Sequence, residues 1–216
     1  MKNLIKDKKS LGALIISFIG VLLMLIYELG FYKGTRDSND EKIITWFYFT
    51  FISNVIGVVF FWLKSFAIKE RTKHFQRFEI LAVVNLTVTM LIFWSVLAPA
   101  NKTWSYPFAT IQNLFIHLIT PVLIIAIFLV DIFKNKETNS LNSLKSSLIN
   151  LLMPLVWITI AIIIYFSLGA DKDSAIYSFL DFKNHALMAG IAIPGIAILY
   201  FGLTFGLMIL KNKKRA

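Results

Sequence analysis

The chain has 216 residues, 57% of them apolar and 16% charged, with a formal net charge of +10 and a mean hydropathy of +0.72. Soluble domains average about 45–50% apolar and ~25% charged residues, so a soluble globular domain is excluded, and 20 Phe with 5 Trp exclude a solvated disordered chain. With no Cys there is no disulfide, no thiolate metal ligand and no cysteine nucleophile.

A spanning helix needs ~20 mostly apolar residues. Taken in chain order, six stretches qualify: 11–31, 46–67, 80–98, 111–133, 148–168 and 186–210. Their continuous apolar character lacks the alternation of a barrel strand, so the expected fold is all-α, a single polytopic bundle of six transmembrane helices. The first stretch follows a basic leader but is about twice as long as the ~7–15-residue core of a signal peptide, and it reads as a retained helix. Trp46, Trp62, Trp94, Trp104 and Trp157 fall mostly near span ends, as an aromatic belt would place them. Gly202 and Gly206 in the last span are spaced for close helix packing.

Of the Lys and Arg residues, 16 fall in the leader, the second and fourth connections and the tail, against 6 in the other three connections. The positive-inside rule therefore predicts cytoplasmic termini. Basic flanks facing anionic lipid account for the pI of 9.7 without nucleic-acid binding.

Polar residues inside spans are costly and become the candidate site. At ~1.5 Å per residue, Thr50 should lie about 6 Å and Asn54 about 12 Å below the outer end of the second span. Asn113 should sit near the outer rim of the fourth span with His117 about 9 Å down, and Pro121 follows at the same spacing of four. Glu28 near the end of the first span and His185, after Asp181, at the start of the sixth belong to the same outer layer. Asn85 and Thr87 read as near the inner end of the third span, with Thr89 central. Asn54 and Asn113 also suit interhelical hydrogen bonding, and Glu28 suits snorkelling beside Tyr27 and Tyr32.

No phosphate loop, nucleophile elbow or zinc-binding His pair is present, and His74, His117 and His185 fall at different depths, so neither a metal nor a cofactor is expected. A hydroxyl nucleophile needs a neighbouring base, and Thr50 with His117 would meet that need for acyl transfer. Asn54 or Asn113 would then stabilise an oxyanion or orient the imidazole.

The segments FYFTFISNVIGVVFF around Thr50, NLFIHLITPVL around His117 and IYSFLDF before the last span resemble the androgen-induced-gene (FAR-17a-like) family of multipass membrane proteins and its bacterial branch of uncharacterised integral membrane proteins. Eukaryotic members hydrolyse fatty acid esters of hydroxy fatty acids with an intramembrane Thr and His. The resemblance places those roles on Thr50 and His117, while Ser53-Asn54 after Thr-Phe-Ile is a feature of the bacterial branch.

The expectation is an integral membrane protein of the cell membrane, in a bacterial plasma membrane, that acts on a lipid-like ester. A non-enzymatic lipid- or small-molecule-binding protein and a transporter are the alternatives. The expected partners are membrane lipids and an amphipathic substrate. Polar residues that stop at mid-membrane would argue against transport.

Overall fold

A backbone in hydrocarbon has no outside hydrogen-bond partner, so each apolar stretch must close its own ladder. In the computed structural model, which describes residues 8–28, 47–66, 72–100, 107–134, 141–170 and 175–213, helices and short turns account for the chain, with no strand among the described residues. Six rods result. α1 is Lys8–Glu28, α2 is Phe49–Ser65, and α3 is Lys73–Ile92, prolonged by a π-helical turn Phe93–Leu97 and by Ala98–Ala100. α4 runs Pro107–Leu114, passes through a second π-helical turn Phe115–Ile119, and continues as Thr120–Lys134. α5 is Ser143–Ser167 and α6 is Ala186–Lys213. Five rods are long and apolar enough to cross a membrane. α2, with 17 residues, extends about 25 Å, slightly less than a ~30 Å hydrocarbon core.

Several ends differ from the hydropathy reading, for local reasons. α3 starts at Lys73, well before residue 80, because Thr72 Oγ1 accepts the Phe75 N–H at 3.2 Å and caps the first turn. Asn142 does the same for α5, accepting the Lys145 N–H at 2.8 Å, so α5 begins at Ser143 instead of 148. The shift in α3 makes Asn85 central instead of near an end. α2 begins at Phe49 instead of Trp46, which moves Thr50 into the first turn.

α3 is the middle of the bundle and packs on α2, α4, α5 and α6. Ile80, Val84, Leu86 and Val88 are fully buried there against Phe60 and Phe61 of α2, Ile124 of α4, and Tyr200 and Met208 of α6. Lys64, Glu79, Asp131 and Lys211 meet at one end of the bundle. Leu14 of α1 shares a groove with Trp62 of α2, so the start of α1 and the end of α6 lie at that same end.

Gly202 and Gly206 do not make the close contact their spacing suggested: both are exposed and nothing lies within 4 Å of where a Cβ would be. Close approach instead uses Gly57, whose added Cβ would fall 2.8 Å from Leu86 Cδ1, and Gly20, which lets α1 touch Ile116 and Phe115 of α4. Trp157 is buried, and its indole N–H donates at 2.8 Å to the carbonyl of Phe47, just before the start of α2.

Candidate functional site

Pro121 has no N–H, so the His117 carbonyl four residues earlier loses its usual helical partner. The chain adapts by widening: the Thr120 N–H reaches back five residues to Phe115, which closes the π-helical turn. Two side chains from neighbouring helices then bind the loosened carbonyls. Trp94 Nε1 donates to the His117 carbonyl at 3.0 Å, and Asn54 Nδ2 donates to the Ile116 carbonyl at 3.2 Å. Asn54 also donates to the Thr50 carbonyl at 2.9 Å. Both its amide hydrogens are engaged in bracing backbone.

The His117 ring lies flat on Phe93, with ring centroids 3.6 Å apart and planes within 5°. Phe93 opens the π-helical turn of α3, so the two widened turns face each other through these rings. The imidazole is buried and hydrogen-bonds with the Thr89 backbone carbonyl, while Nδ1 has no protein partner. A ring nitrogen that faces a carbonyl must carry the proton, so the other nitrogen keeps its lone pair free. Nδ1 is therefore the basic atom of this site.

Thr50 sits in the first turn of α2, buried, with Oγ1 at 3.5 Å from the Tyr177 hydroxyl. Asn54 is the α2 residue level with Ile116 and His117, so Thr50 stands one turn, about 6 Å, nearer the end of the bundle. Thr50 and Thr89 line one small cavity of about 20 Å³ with Val88, Ile92, Pro154 and Trp157, which is room for about one water. Thr50 and His117 thus approach Thr89 from two sides, Thr50 across the cavity and His117 through the backbone carbonyl. No hydrogen bond joins the two directly among the described residues.

The other residues read from the sequence are spread out. Asn113 is half-buried one turn before His117. His185 is exposed at the start of α6 and does not line the cavity. The side chain of Glu28 lies outside the described residues. His74 is exposed on the first turn of α3, so the three histidines stand apart.

Sequence reasoning missed Tyr177 and its support. After α5 the chain turns through Gly169 and Ala170 at positive φ and returns over the bundle. Asp181 fastens that return: it accepts from Tyr165 Oη at 2.9 Å and from the Asn184 side chain at 2.8 Å and backbone at 3.1 Å. The Asn184 side chain, with further donors from Asn184 N–H, Tyr165 and Lys183, holds the Asp181 carboxyl below its ordinary range. Tyr177 is then packed edge-on against Tyr48, 5.4 Å between centroids, and stacked on Phe179 at 5.2 Å. The signal in the sequence was an apolar IYSFL segment where a polar loop would be expected.

Polar side chains also continue past mid-bundle. Tyr200 Oη donates to Asn85 Oδ1 at 2.8 Å in the middle. At the far end Lys211 pairs with Glu79 at 2.6 Å, Lys64 approaches Glu79 at 3.5 Å, and Lys64 also pairs with Asp131. That quartet balances two positive against two negative charges. Fully buried Ile80, Val83, Val84 and Met208 stand between it and the Asn85–Tyr200 bond. No family model, curated protein or solved structure matches the chain.

Proposed function

We propose that this multipass membrane protein is a lipid ester hydrolase with Thr50 as nucleophile and His117 as base, working in the half of the bundle away from its termini. The distribution of Lys and Arg would make that half the outer one, in a bacterial plasma membrane. The observation that carries the reading is the state of His117: a buried imidazole, fixed through one nitrogen by the Thr89 carbonyl and by the Phe93 ring, with Nδ1 unpartnered one helical turn from the level of Thr50. A base whose tautomer is set by a second hydrogen bond is what hydroxyl activation requires. The resemblance to the androgen-induced-gene family assigns the same two residues. A proton relay from Thr50 to Nδ1 must span that one-turn offset, and the acyl chain would reach Thr50 as the apolar wall of Val88, Ile92, Pro154 and Trp157 moves apart, since the closed cavity holds about one water.

One observation favours a second reading, a lipid-binding protein without chemistry: the Thr50 hydroxyl pairs with Tyr177 and not with the imidazole. An alkyl fluorophosphonate separates the two. The hydrolase reading expects a covalent adduct that mass spectrometry maps to Thr50, retained in Thr50→Ser and lost in Thr50→Ala and His117→Ala. Reversible binding with no adduct would support the binding protein. Transport is disfavoured, since the polar groups at the far end are paired with each other behind a fully buried apolar layer.

A further inference from the structure

The first turn of a helix leaves backbone N–H groups without intrahelical partners, and they are usually bound by a capping side chain. α2 has none of its own, because its N-cap residue is Tyr48, whose side chain makes no capping bond. The phenolic oxygen of Tyr177 takes that place, bonded by the backbone N–H groups of Phe49 and Thr50. An oxygen whose lone pairs face these two donors directs its own O–H elsewhere. It lies 3.5 Å from Thr50 Oγ1, on the wall of the cavity that Thr50 and Thr89 share. The same cavity receives Thr89, whose Oγ1 is unpartnered although the residue is only 3% exposed. A second hydroxyl is therefore present with nothing else to bond.

Resting on the hydrolase reading above, we propose that Tyr177 is a third catalytic residue, the hydrogen-bond donor to the carbonyl oxygen of an ester attacked by Thr50, with Thr89 Oγ1 as the neighbouring donor. As the bond from Thr50 Oγ to the acyl carbon forms, the carbonyl electron pair moves onto its oxygen, and the Thr50 proton passes to His117. Tyr177 keeps its proton and donates a hydrogen bond to that oxyanion. On collapse the ester C–O bond breaks and the leaving alkoxide takes the proton from His117. Water then cleaves the acyl-threonine through the same groups and releases the fatty acid.

Burial pushes the Tyr177 phenol above its ordinary value of 10, the hydrogen bond with Thr50 opposing, so it stays protonated and serves as donor and not as base. Its ring is clamped by Tyr48, Phe179 and Trp157, so the donor is positioned before substrate arrives.

The test is steady-state hydrolysis of a long-chain 4-methylumbelliferyl ester by the full-length protein in nanodiscs. Tyr177→Phe keeps the ring contacts and should lower kcat about 100- to 1,000-fold, as loss of one oxyanion donor does elsewhere, with KM within about threefold. Substitution by 3-fluorotyrosine, a stronger donor of the same shape, should restore activity to at least the wild-type rate and decides the matter should Tyr177→Phe fold poorly. If Thr50→Ala abolishes turnover while Tyr177→Phe keeps the wild-type kcat, the donor role is overturned and the hydrolase reading survives. A Tyr177→Phe loss accompanied by an inactive fluorotyrosine protein that folds normally also overturns it. If Thr50→Ala turns over normally, the hydrolase reading fails and the role of Tyr177 with it.

Discussion

Phe93 and His117 lie face to face, centroids 3.6 Å apart and planes within 5°, each inside a π-helical turn of its own helix. Phe93 shields one face of the imidazole while Thr89, one turn earlier on the same helix, fixes its proton. Phe93→Ala should remove the shield, cost about 3 kcal/mol of stability as other large core truncations do, and reduce turnover strongly. Phe93→Leu should retain most of the fold. Thermal unfolding followed by Trp fluorescence, with ester turnover on the same samples, checks both.

Pro121 is the cause of the widened turn at His117. Pro121→Ala supplies an N–H that competes with Trp94 for the His117 carbonyl and allows an ordinary α-turn. Stability should rise by about 1 kcal/mol or stay level, while turnover falls at least tenfold because the ring leaves Thr89. Unchanged turnover in a folded Pro121→Ala protein would show that the widened turn does not position the base.

Much of this was legible in advance, and the limits were physical. Hydropathy finds the spans because burial in lipid selects apolar runs of set length, and all six appear as helices. The start of α3 was misplaced because Gln76, Arg77 and Glu79 lower the local hydropathy, although Glu79 is almost fully buried between Lys64 and Lys211. Those partners lie on other spans, and a one-dimensional scan cannot pair them. The consequence of Pro121 for His117 needed Trp94, twenty-seven residues away in sequence, to become visible. Tyr177 was read only as part of a resemblance, since nothing local says that its segment folds back over α2.

The quartet at the far end holds α2, α3, α4 and α6 together through charge. Glu79→Ala leaves Lys211 buried without its carboxylate and should destabilise the protein by about 3–5 kcal/mol. Adding Lys211→Met should recover most of that loss, since a neutral apolar pair replaces a charged one at similar volume. Below the unfolding transition, turnover in both variants should match wild type, because the quartet stands at the opposite end from Thr50. The comparison of melting curves with turnover tests both statements.

Asp181 gives the account a pH dependence. Its carboxyl is held below the ordinary 3.8, chiefly by the Asn184 side chain, so its stabilising effect is complete above about pH 4 and disappears as pH falls through the depressed folded value. Wild type should therefore exceed Asp181→Asn in melting temperature by a constant margin from pH 7 to about pH 5, and the margin should vanish in stronger acid. A margin that grows on acidification would contradict the sign.

The central claim is that Thr50 and His117 form one chemical unit. Hydrolysis of a long-chain 4-methylumbelliferyl ester by purified protein in nanodiscs, with empty nanodiscs as background, tests it most directly. The account predicts turnover above background in wild type and a loss of at least about 100-fold in Thr50→Ala and in His117→Ala, with the double variant no worse than either single one. Wild-type protein that shows no turnover, or single variants that keep the wild-type rate while folded, would contradict it.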